Sequence, residues 1–504
     1  MPGSGESEAQ AGFPISAVSC PGDGAFFAQQ KMLCSGRGAI IIERHKPNKK
    51  GTFLLTLSEY IESLRGKRVA VVGVGVSNLP LLRLLAEQGI DVTAHDRTQP
   101  EAYAELSALG VRWVLGEDYL KSLDYDLLFR TPGLHPDKLR PGLGAHTLVT
   151  SEMEVFFSLC PCRTVAVTGS DGKTTTSTLI AKLLEAEGFR VHLGGNIGKP
   201  LLCELPDFRP EDFAVLELSS FQLHGMHCGP DVAVVTNLAP NHLDVHPSFE
   251  DYASAKQNIY LHQKPGARLV LNLDNAYTSA WGRESGREVC WFSRQSVPDH
   301  GYCFHDGVIW RDGEAFLDRE DILLPGLHNV ENYMTAFAAV DGLVSRAHCR
   351  AVAQSFTGVE HRIQLVRTLR GVRYYNDSIA SSPSRTTAGL RSFPDKVILI
   401  AGGHDKLIPF DGLAEEIVQH VKALYLVGET AEKIRDAVLR APGYDPEALP
   451  VTVLEDFKET VLAASRAAKE GDVVLLSPAC SSFDKFKNFA QRGNTFRKIV
   501  EELE

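Results

Sequence analysis

The chain has 504 residues, and several domains are expected because a single hydrophobic core stops growing near ~250–300 residues. Its 44% hydrophobic and 23% charged residues are typical of a globular protein, and its formal net charge of -11 argues against a general nucleic-acid-binding protein, which needs a basic face. No apolar run reaches the ~20 residues of a membrane span, no secretory signal is visible, and ten cysteines are too sparse for a disulfide scaffold, so we predict a cytoplasmic protein that binds neither nucleic acid nor membrane.

Residues 1–52 are predicted to form a disordered extension. The segment MPGSGESEAQAG is small and polar, and KPNKKG is basic and rich in turn-forming residues. Met32 is an alternative translation start, and the sequence does not decide between the two starts.

The first folded unit is predicted over residues 53–152. KRVAVVGVG reads as a buried strand that enters a glycine turn, LPLLRLLAEQG has helical apolar spacing, and IDVTAHD is a second strand. This βαβ unit predicts a parallel sheet. The turn at Gly73 and Gly75 begins like a dinucleotide-binding loop, with Asp96 suitably placed for a ribose hydroxyl, but Asn78 replaces the third glycine. The residues alone leave both a nucleotide site and a structural turn open.

The second unit, residues 153–357, opens with the strongest single motif. A strand runs into a glycine turn and then a helix, and the turn contains Gly169, Ser170, Asp171, Gly172, Lys173, Thr174 and Thr175. Glycines let successive N–H groups face a phosphate chain, the lysine neutralises the outer phosphates, and the next hydroxyl can reach Mg²⁺. The first glycine lies two residues closer to the lysine than in the standard loop, but the context favours phosphate binding over a plain turn.

Further polar candidates of the second unit do not establish a site individually. Glu217 lies in a strand-like run, VLELSS, where a buried carboxylate needs a cation or hydrogen bonds. His242 and His246 could bind zinc, but no third ligand completes the set, and a structural role for His242 remains open. Lys256 lies in a predicted helix, where a surface lysine is the default interpretation.

The third unit, residues 358–504, again alternates strands and helices. VRYYNDS, DKVILIAGG, ALYLVGE and DVVLLSPA are strand-like, and GLAEEIVQHV is helical. We therefore predict an α/β protein of three successive domains: a Rossmann-like N-terminal domain, a P-loop-type central ATPase domain and a Rossmann-like C-terminal domain.

Taken in order, the motifs from about Leu57 to the C-terminus resemble the Mur ligase family. TGSDGKTTT has that family's short glycine spacing, and GGNIGKP, LELSSFQL, TNLAPNHLD, LPGLHNVEN and GVEHRIQ follow in the family's order. NDSIASSP, AGGHDK and SPACSSFDKFKNFAQRG are distinctive of the member that adds D-glutamate. The resemblance implies an ATP-dependent ligase of peptidoglycan precursor synthesis, which joins D-glutamate to UDP-N-acetylmuramoyl-L-alanine through an acyl phosphate.

The resemblance also implies roles for individual residues. Lys173, Glu217, His242 and Lys256 would be catalytic, and Lys256 matches the lysine that the family carbamylates, which turns an amine into a carboxylate suited to a hard cation. Two Mg²⁺ ions are expected, with Thr174, Glu217, His242 and Lys256 as metal residues. The implied ATP-binding residues are the seven of the glycine turn with Asn329, Arg362 and Asp377; the implied contacts to the UDP-linked substrate are Ser77, Asp96, Arg97, Thr131, Gly133 and Asn196.

Lys406, Ser482 and Phe489 match positions that hold D-glutamate, but one neighbouring position departs from the pattern. Many D-glutamate-adding members have lysine directly after N-D-S, where this chain has Ile379. An unpaired buried carboxylate costs several kcal/mol, so other donors must serve. We expect Lys406 to carry most of the charge recognition, with hydroxyls of the Ile379 loop or backbone N–H groups completing it. Arg385 is the nearest cation along the Ile379 loop, and a merely solvated role for it stays open.

Three other interpretations remain open from the sequence. A sister ligase, such as another Mur ligase or a folylpolyglutamate synthase, would share the ATP-binding unit but lack SPACSSFDKFKNF. A nicotinamide-dependent dehydrogenase would leave the G-K-T loop unexplained. A non-catalytic homologue would not need to retain Lys173, Glu217, His242 and Lys256. A monomer is expected.

Overall fold

A computed structural model describes residues 55–240, 245–405 and 408–504, and three β-sheets succeed one another along this part of the chain. The predicted extension, residues 1–52, lies outside the described residues. The α/β class is confirmed, because most neighbouring strands in each sheet are parallel and helices alternate with them. No helix in the described ranges combines the length and apolar character needed to cross a membrane.

The first sheet is entirely parallel. Its elements are α1 (Leu57–Glu62), β1 (Val69–Val72), α2 (Leu79–Glu87), β2 (Val92–Asp96), α3 (Tyr103–Ala108), β3 (Arg112–Leu115), β4 (Leu127–Arg130) and β5 (Leu148–Thr150). The strand order is β3-β2-β1-β4-β5. Strand order reverses between β1 and β4, and a crevice for ligands typically opens at the carboxyl ends of such strands. The predicted glycine turn lies at that point, directly after β1.

The second sheet has nine strands and carries the phosphate-loop motif at its centre. Its order is β14-β13-β12-β11-β10-β9-β6-β8-β7, parallel from β7 to β12 and antiparallel at the β12–β14 end. In chain order the elements are α4 (Glu152–Leu159), β6 (Arg163–Thr168), α5 (Lys173–Ala186), β7 (Val191–Gly195), β8 (Phe213–Glu217), α6 (Ser220–Leu223), β9 (Val232–Val235), α7 (Phe249–Leu261), β10 (Arg268–Asn272), α8 (Ala276–Glu284), β11 (Val289–Ser293), β12 (Gly301–His305), β13 (Val308–Arg311), β14 (Glu314–Asp318), α9 (Leu327–Ala339) and α10 (Arg346–Ser355).

The third sheet has six strands in the order β15-β16-β20-β17-β18-β19, and only β15 is antiparallel. Its elements are β15 (Gln364–Leu369), β16 (Val372–Asn376), α11 (Pro383–Leu390), β17 (Val397–Ala401), α12 (Asp411–His420), β18 (Val421–Val427), α13 (Ala431–Arg440), β19 (Val451–Leu454), α14 (Phe457–Ala467), β20 (Val473–Leu476) and α15 (Phe489–Glu501). Strand β17 is fully buried between helical layers, as expected for the continuous apolar run VILIA.

The strands and helices predicted from periodicity are confirmed at β1, β2, β6, β16, β17, β18 and β20 and at α2 and α12. The antiparallel strands β12–β15 were not predicted. Most of them are half-exposed at sheet edges, so they lack the continuous apolar run that marks the central parallel strands. The predicted domain boundaries, after residues 152 and 357, stay predictions.

A buried arginine connects the first sheet to the second. Arg130, the last residue of β4, donates to the carbonyl oxygens of Leu134 at 2.7 Å and of His224 at 2.7 Å. Weaker hydrogen bonds reach the carbonyls of Thr131, Pro132 and Phe221. Burial lowers the pKa of Arg130 to about 10. One side chain therefore fixes the loop after β4 against the segment of α6.

Candidate active site

The loop between β6 and α5 has a backbone that only glycine accepts easily. Gly169 has a φ of 148°, and a Cβ there would overlap the hydroxyl oxygen of Thr236. The segment after β9 holds the loop in place, because Ser170 N donates to Asn237 O at 3.0 Å and Asp171 N to Asn237 Oδ1 at 3.0 Å. Helix α5 then begins at Lys173, so its free N-terminal N–H groups face the same cleft.

Lys173 folds back over this loop. Its Nζ donates to the carbonyl oxygens of Gly169 and Ser170, each at 2.9 Å. Burial lowers the pKa of Lys173, and the carboxylates of Glu217 and Asp171 counteract that shift only in part. The lysine is thus held at the loop by neutral acceptors and can exchange them for phosphate oxygens.

Glu217, the last residue of β8, has an incompletely satisfied carboxylate. The residue is 2% exposed, Oε1 accepts a 2.7 Å hydrogen bond from Asn196 Nδ2, and Oε2 is buried and has no hydrogen-bond partner among the described residues. Burying a carboxylate oxygen without a hydrogen-bond donor is energetically unfavourable. Such an oxygen is a suitable ligand for a hard divalent cation. The donor set at this position therefore fits Mg²⁺.

Lys256 is deeply buried, contrary to the default interpretation of a surface lysine. It is 1% exposed, and its Nζ donates to Gly169 O at 2.8 Å and to Thr168 Oγ1 at 3.2 Å, and lies 4.8 Å from the centre of the Tyr252 ring. Burial holds the pKa of Lys256 well below its ordinary value, and the charge of Lys173 adds to the effect. The side chain lies on the buried face of α7 with Tyr252, Ala255 and Ile259.

The third sheet supplies the opposite wall of the cleft. Asp377 follows β16, its Oδ2 accepts from Ser477 Oγ at 2.8 Å, and burial raises its pKa to about 7. Arg362 lines the same space, and burial lowers its pKa. Asn329, near the start of α9, donates to Pro325 O at 2.7 Å and accepts from Asn332 Nδ2 at 3.0 Å.

Together these residues line one cavity of about 900 Å³. Its lining includes six of the seven predicted loop residues, Ser170 to Thr175, with Asn196, Glu217, Lys256, Asn329, Arg362 and Asp377. Gly169 is not in this lining, but its carbonyl oxygen accepts a hydrogen bond from Lys256 Nζ. The structure thus brings twelve predicted residues, from two sheets, to one cleft large enough for a nucleotide.

Two predicted residues lie outside the described residues: His242, a predicted metal residue, and Lys406, a predicted D-glutamate contact. His246, the alternative zinc ligand, is instead buried between Asp251 and Ser220. Among the described residues, the group with metal-compatible spacing is His135, His224 and Asp251, whose candidate ligand atoms lie within 4.8 Å of one another.

Of the six predicted contacts of the UDP-linked substrate, Asn196 lines this cavity, and the other five lie apart from it, at the carboxyl ends of the first sheet. Ser77 lies in the turn after β1, Asp96 and Arg97 at the end of β2, and Thr131 and Gly133 after β4. Asp96 also shapes the turn, because its Oδ2 accepts from Val74 N at 2.7 Å. The Asn78 amide donates to Gly73 O at 3.0 Å, which suits the buried side chain that replaces the third glycine.

The predicted D-glutamate residues are less well gathered. Ser482 is 2% exposed and Phe489 is 40% exposed, and neither lines the cavity. Phe489 is nevertheless close to the Asp377 loop, because Ser378 Oγ donates to Phe489 O at 2.8 Å. Ile379 and Arg385 both line the cavity, and Arg385 Nη1 donates to Ile379 O at 3.4 Å. The guanidinium of Arg385 therefore lies beside the position where lysine was expected.

Residues 167–340 match the family described as "Mur ligase middle domain", and residues 361–480 match "Mur ligase, glutamate ligase domain". A protein of Acetivibrio thermocellus named UDP-N-acetylmuramoylalanine--D-glutamate ligase is 49% identical, over 89% of this chain and 99% of its own. A protein of the same name from Ruminiclostridium cellulolyticum is 47% identical, over 89% of this chain and 99% of its own.

Solved structures show a similar fold at low identity. The crystal structure of UDP-N-acetylmuramate-alanine ligase from Thermotoga maritima has a TM-score of 0.53 and 18% identity, covering 86% of this chain and 98% of its own. That of UDP-N-acetylmuramoyl-L-alanyl-D-glutamate--2,6-diaminopimelate ligase has a TM-score of 0.54 and 18% identity, covering 82% and 93%.

Proposed function

This chain belongs to the Mur ligase family, and from that premise we propose that it is the ATP-dependent ligase that joins D-glutamate to UDP-N-acetylmuramoyl-L-alanine. The observation that carries the proposal is the convergence of the phosphate loop, Glu217 and Lys256 on one cavity whose opposite wall holds Arg362 and Asp377. The relatives that match over almost their whole length carry the name of this activity.

The proposed chemistry needs positioned charges more than a protein nucleophile. ATP transfers its γ-phosphoryl group to the alanyl carboxylate, and the amine of D-glutamate then attacks the acyl phosphate and expels phosphate. Lys173 would leave its two carbonyl acceptors and neutralise phosphate oxygens, while Arg362 approaches from the opposite wall. The N–H groups at the start of α5 would bind phosphate oxygens without a net charge.

Two Mg²⁺ ions, when bound, would screen the phosphate charge and polarise the phosphoryl group. Glu217 is proposed as a ligand because its Oε2 is buried and unpartnered, and Thr174 lies next to Lys173 at the cavity. His242 is proposed for the second ion. A carbamylated Lys256 would serve the same ion, and its low pKa supports this, since only a neutral amine reacts with CO₂.

The remaining assignments are proposals of the same kind. Asn329 and Asp377 would contact ATP, and Ser77, Asp96, Arg97, Thr131 and Gly133 would contact the UDP end, with Asn196 contributing from the second sheet. Lys406, Ser482 and Phe489 would hold D-glutamate. We further propose domains at 53–152, 153–357 and 358–504, preceded by an extension over 1–52, and a cytoplasmic monomer.

The decisive experiment measures ADP release by the full chain with ATP, Mg²⁺ and UDP-N-acetylmuramoyl-L-alanine. D-glutamate, L-glutamate, glycine and D-aspartate are compared as the amino acid. We expect D-glutamate to give a kcat/KM at least ~100-fold above the others, because each lost or misplaced carboxylate contact costs a few kcal/mol. Equal use of another amino acid would leave a ligase but remove the specificity.

A further inference from the structure

Three side chains from two separate segments form a hydrogen-bonded chain that ends at the cleft. Asp251, in the first turn of α7, lies 2.6 Å from His246 Nδ1 through its Oδ2. His246 Nε2 lies 2.9 Å from Ser220 Oγ, and Ser220 lines the cavity three residues after Glu217. Ser220 and His246 are each 2% exposed. The catalytic roles proposed above leave these three residues unused.

The carboxylate fixes the direction of every hydrogen bond in this chain. Burial opposes the charge of Asp251, but hydrogen bonds from His224 and His246 outweigh it and hold the pKa of Asp251 below its ordinary value. An ionised carboxylate only accepts, so His246 Nδ1 must donate to it. When the ring carries no second proton, His246 Nε2 is an acceptor, and the Ser220 hydroxyl then donates its only proton to the ring.

The consequence concerns what Ser220 offers to a ligand. Because its proton points to His246, the remaining lone pairs of its oxygen are available on the side of the cleft, where the hydroxyl can accept but not donate. The rings of Phe221, stacked at 5.1 Å, and Tyr252, edge-on at 5.4 Å, hold the imidazole in this orientation. The hydroxyl of a serine without such a partner would rotate and could serve as donor or acceptor. The hydroxyl of Ser220 is held in the orientation of an acceptor.

We propose that Ser220 is a substrate-binding residue that accepts a hydrogen bond from an N–H group of a reactant in the cleft, and that His246 and Asp251 are positioning residues for it. The proposal rests on the proposed ligase activity, which brings two such groups to the cleft. One is the amide N–H of the L-alanyl unit in the nucleotide-linked acid. The other is the amino group of the incoming amino acid, whose attack requires its orientation toward the acyl carbon.

The test separates the two halves of the reaction in the full-length enzyme. Amide formation is measured with D-glutamate, and acyl phosphate formation is measured separately by trapping with hydroxylamine as the hydroxamate. Ser220→Ala removes the acceptor, and Asp251→Asn lets the amide donate to the ring, which reverses the chain and turns the serine proton toward the cleft. Ser355→Ala removes a hydroxyl that bonds only Ala351 O of its own helix and is the control.

We expect Ser220→Ala to lower kcat/KM for amide formation by about 10- to 100-fold while thermal unfolding stays near that of wild type. Unchanged hydroxamate formation would assign the amino group of the amino acid as the bound N–H. A matching rise in the KM for the nucleotide-linked acid in both assays would assign the L-alanyl amide. Asp251→Asn is expected to reproduce the Ser220→Ala pattern in either case.

Two results would overturn the proposal. One is a Ser220→Ala enzyme within about twofold of wild type in both assays, and the other is an effect confined to the KM for ATP. An Asp251→Asn enzyme that folds and behaves like wild type beside an impaired Ser220→Ala would remove the positioning role. If wild type uses a different amino acid, the proposed function alone fails, because the same comparison runs with that amino acid.

Discussion

Ile379 supplies no positive charge at the expected D-glutamate site, where many family members have a lysine. Arg385 is the cation that lies beside it. The guanidinium donates to Ile379 O at 3.4 Å, and no carboxylate within the described ranges forms an ion pair with it. We expect Arg385→Ala to raise the KM for D-glutamate by about 10-fold or more, from loss of a charge-assisted contact, and to change the KM for ATP far less.

Lys406→Ala, measured in parallel, is expected to raise the same KM at least ~100-fold, because it should carry the larger share of the recognition. Ile379→Lys should be tolerated. A rise in the KM for ATP, with the D-glutamate KM constant, would move Arg385 to the phosphates and contradict its assignment to the amino acid.

Lys256 is a second residue whose substitution should abolish most of the activity. Because burial holds the pKa of its amine well below the ordinary value, Lys256 gives up its proton more readily than an exposed lysine, and its reaction with CO₂ would place a carboxylate in the cleft that Glu217 also lines. Lys256→Ala should lose activity by orders of magnitude and regain part of it with added acetate or propionate. Tyr260→Phe, a change on the same helix, is the control for nonspecific effects of the added acid.

Depletion of bicarbonate should also lower wild-type activity, measured as ADP release under CO₂-free conditions. A fully active Lys256→Ala enzyme would contradict the metal role of this lysine. The buried face of α7 contains the signal that identifies it, since Tyr252, Ala255, Lys256 and Ile259 recur at helical spacing.

At the scale of elements, the turn between β6 and α5 depends on a glycine for two separable reasons. Gly169→Ala would impose a side chain at positive φ and would also overlap Thr236 Oγ1. Gly188, at the end of the same helix, also has positive φ (98°) but open space around its Cα. Gly188→Ala should therefore cost about 1 kcal/mol in stability and leave the KM for ATP near wild type.

Gly169→Ala should instead raise the KM for ATP at least ~10-fold, because the overlap displaces the loop that faces the phosphates. Steady-state kinetics and thermal unfolding of the two variants separate strain from clash. Equal ATP affinity in both variants would show that the loop relaxes around the added methyl group.

Periodicity and composition predict some of these elements and not others. Continuous apolar runs such as VAVV and VILIA predict the buried parallel strands, and a glycine turn before a lysine predicts the phosphate loop. The chain from Ser220 through His246 to Asp251 could not be predicted, because no spacing rule joins these positions and only tertiary packing brings them together. Lys256 was assigned from the family resemblance because a lone lysine is usually solvated, although its helical spacing with Tyr252, Ala255 and Ile259 matches the buried face of α7.

At the scale of the whole molecule, two buried acids make stability depend on pH. Glu152 begins α4, its Oε1 accepts from Leu202 N at 3.1 Å, and burial raises its pKa to about 7. Between its ordinary pKa and 7 the folded chain binds more protons than the unfolded chain, so stability falls as pH rises through that window. Asp377, with its pKa raised to about 7, acts in the same direction.

Glu152→Gln keeps the acceptor for Leu202 N and removes the ionisation. We expect it to be more stable than wild type by about 2–4 kcal/mol at pH 8 and the difference to vanish near pH 4.5. Unfolding by urea at several pH values checks this, with Glu211→Gln, at an exposed acid, as the control. An advantage that grew toward low pH would contradict the assignment.

The five carbonyl groups bound by Arg130 affect the thermal unfolding of the chain. Interfaces between domains of one chain are commonly weak. If only the connecting chain joined the first sheet to the second, the two sheets could therefore unfold separately. Arg130 binds its own loop and the carbonyls of Phe221 and His224 at once, so neither side can loosen without breaking the other's bonds. Wild type should give a single calorimetric transition, and Arg130→Met should split it, with the N-terminal part melting first. The Arg130 guanidinium thus couples the unfolding of the two sheets, so that they contribute to a single heat-capacity peak.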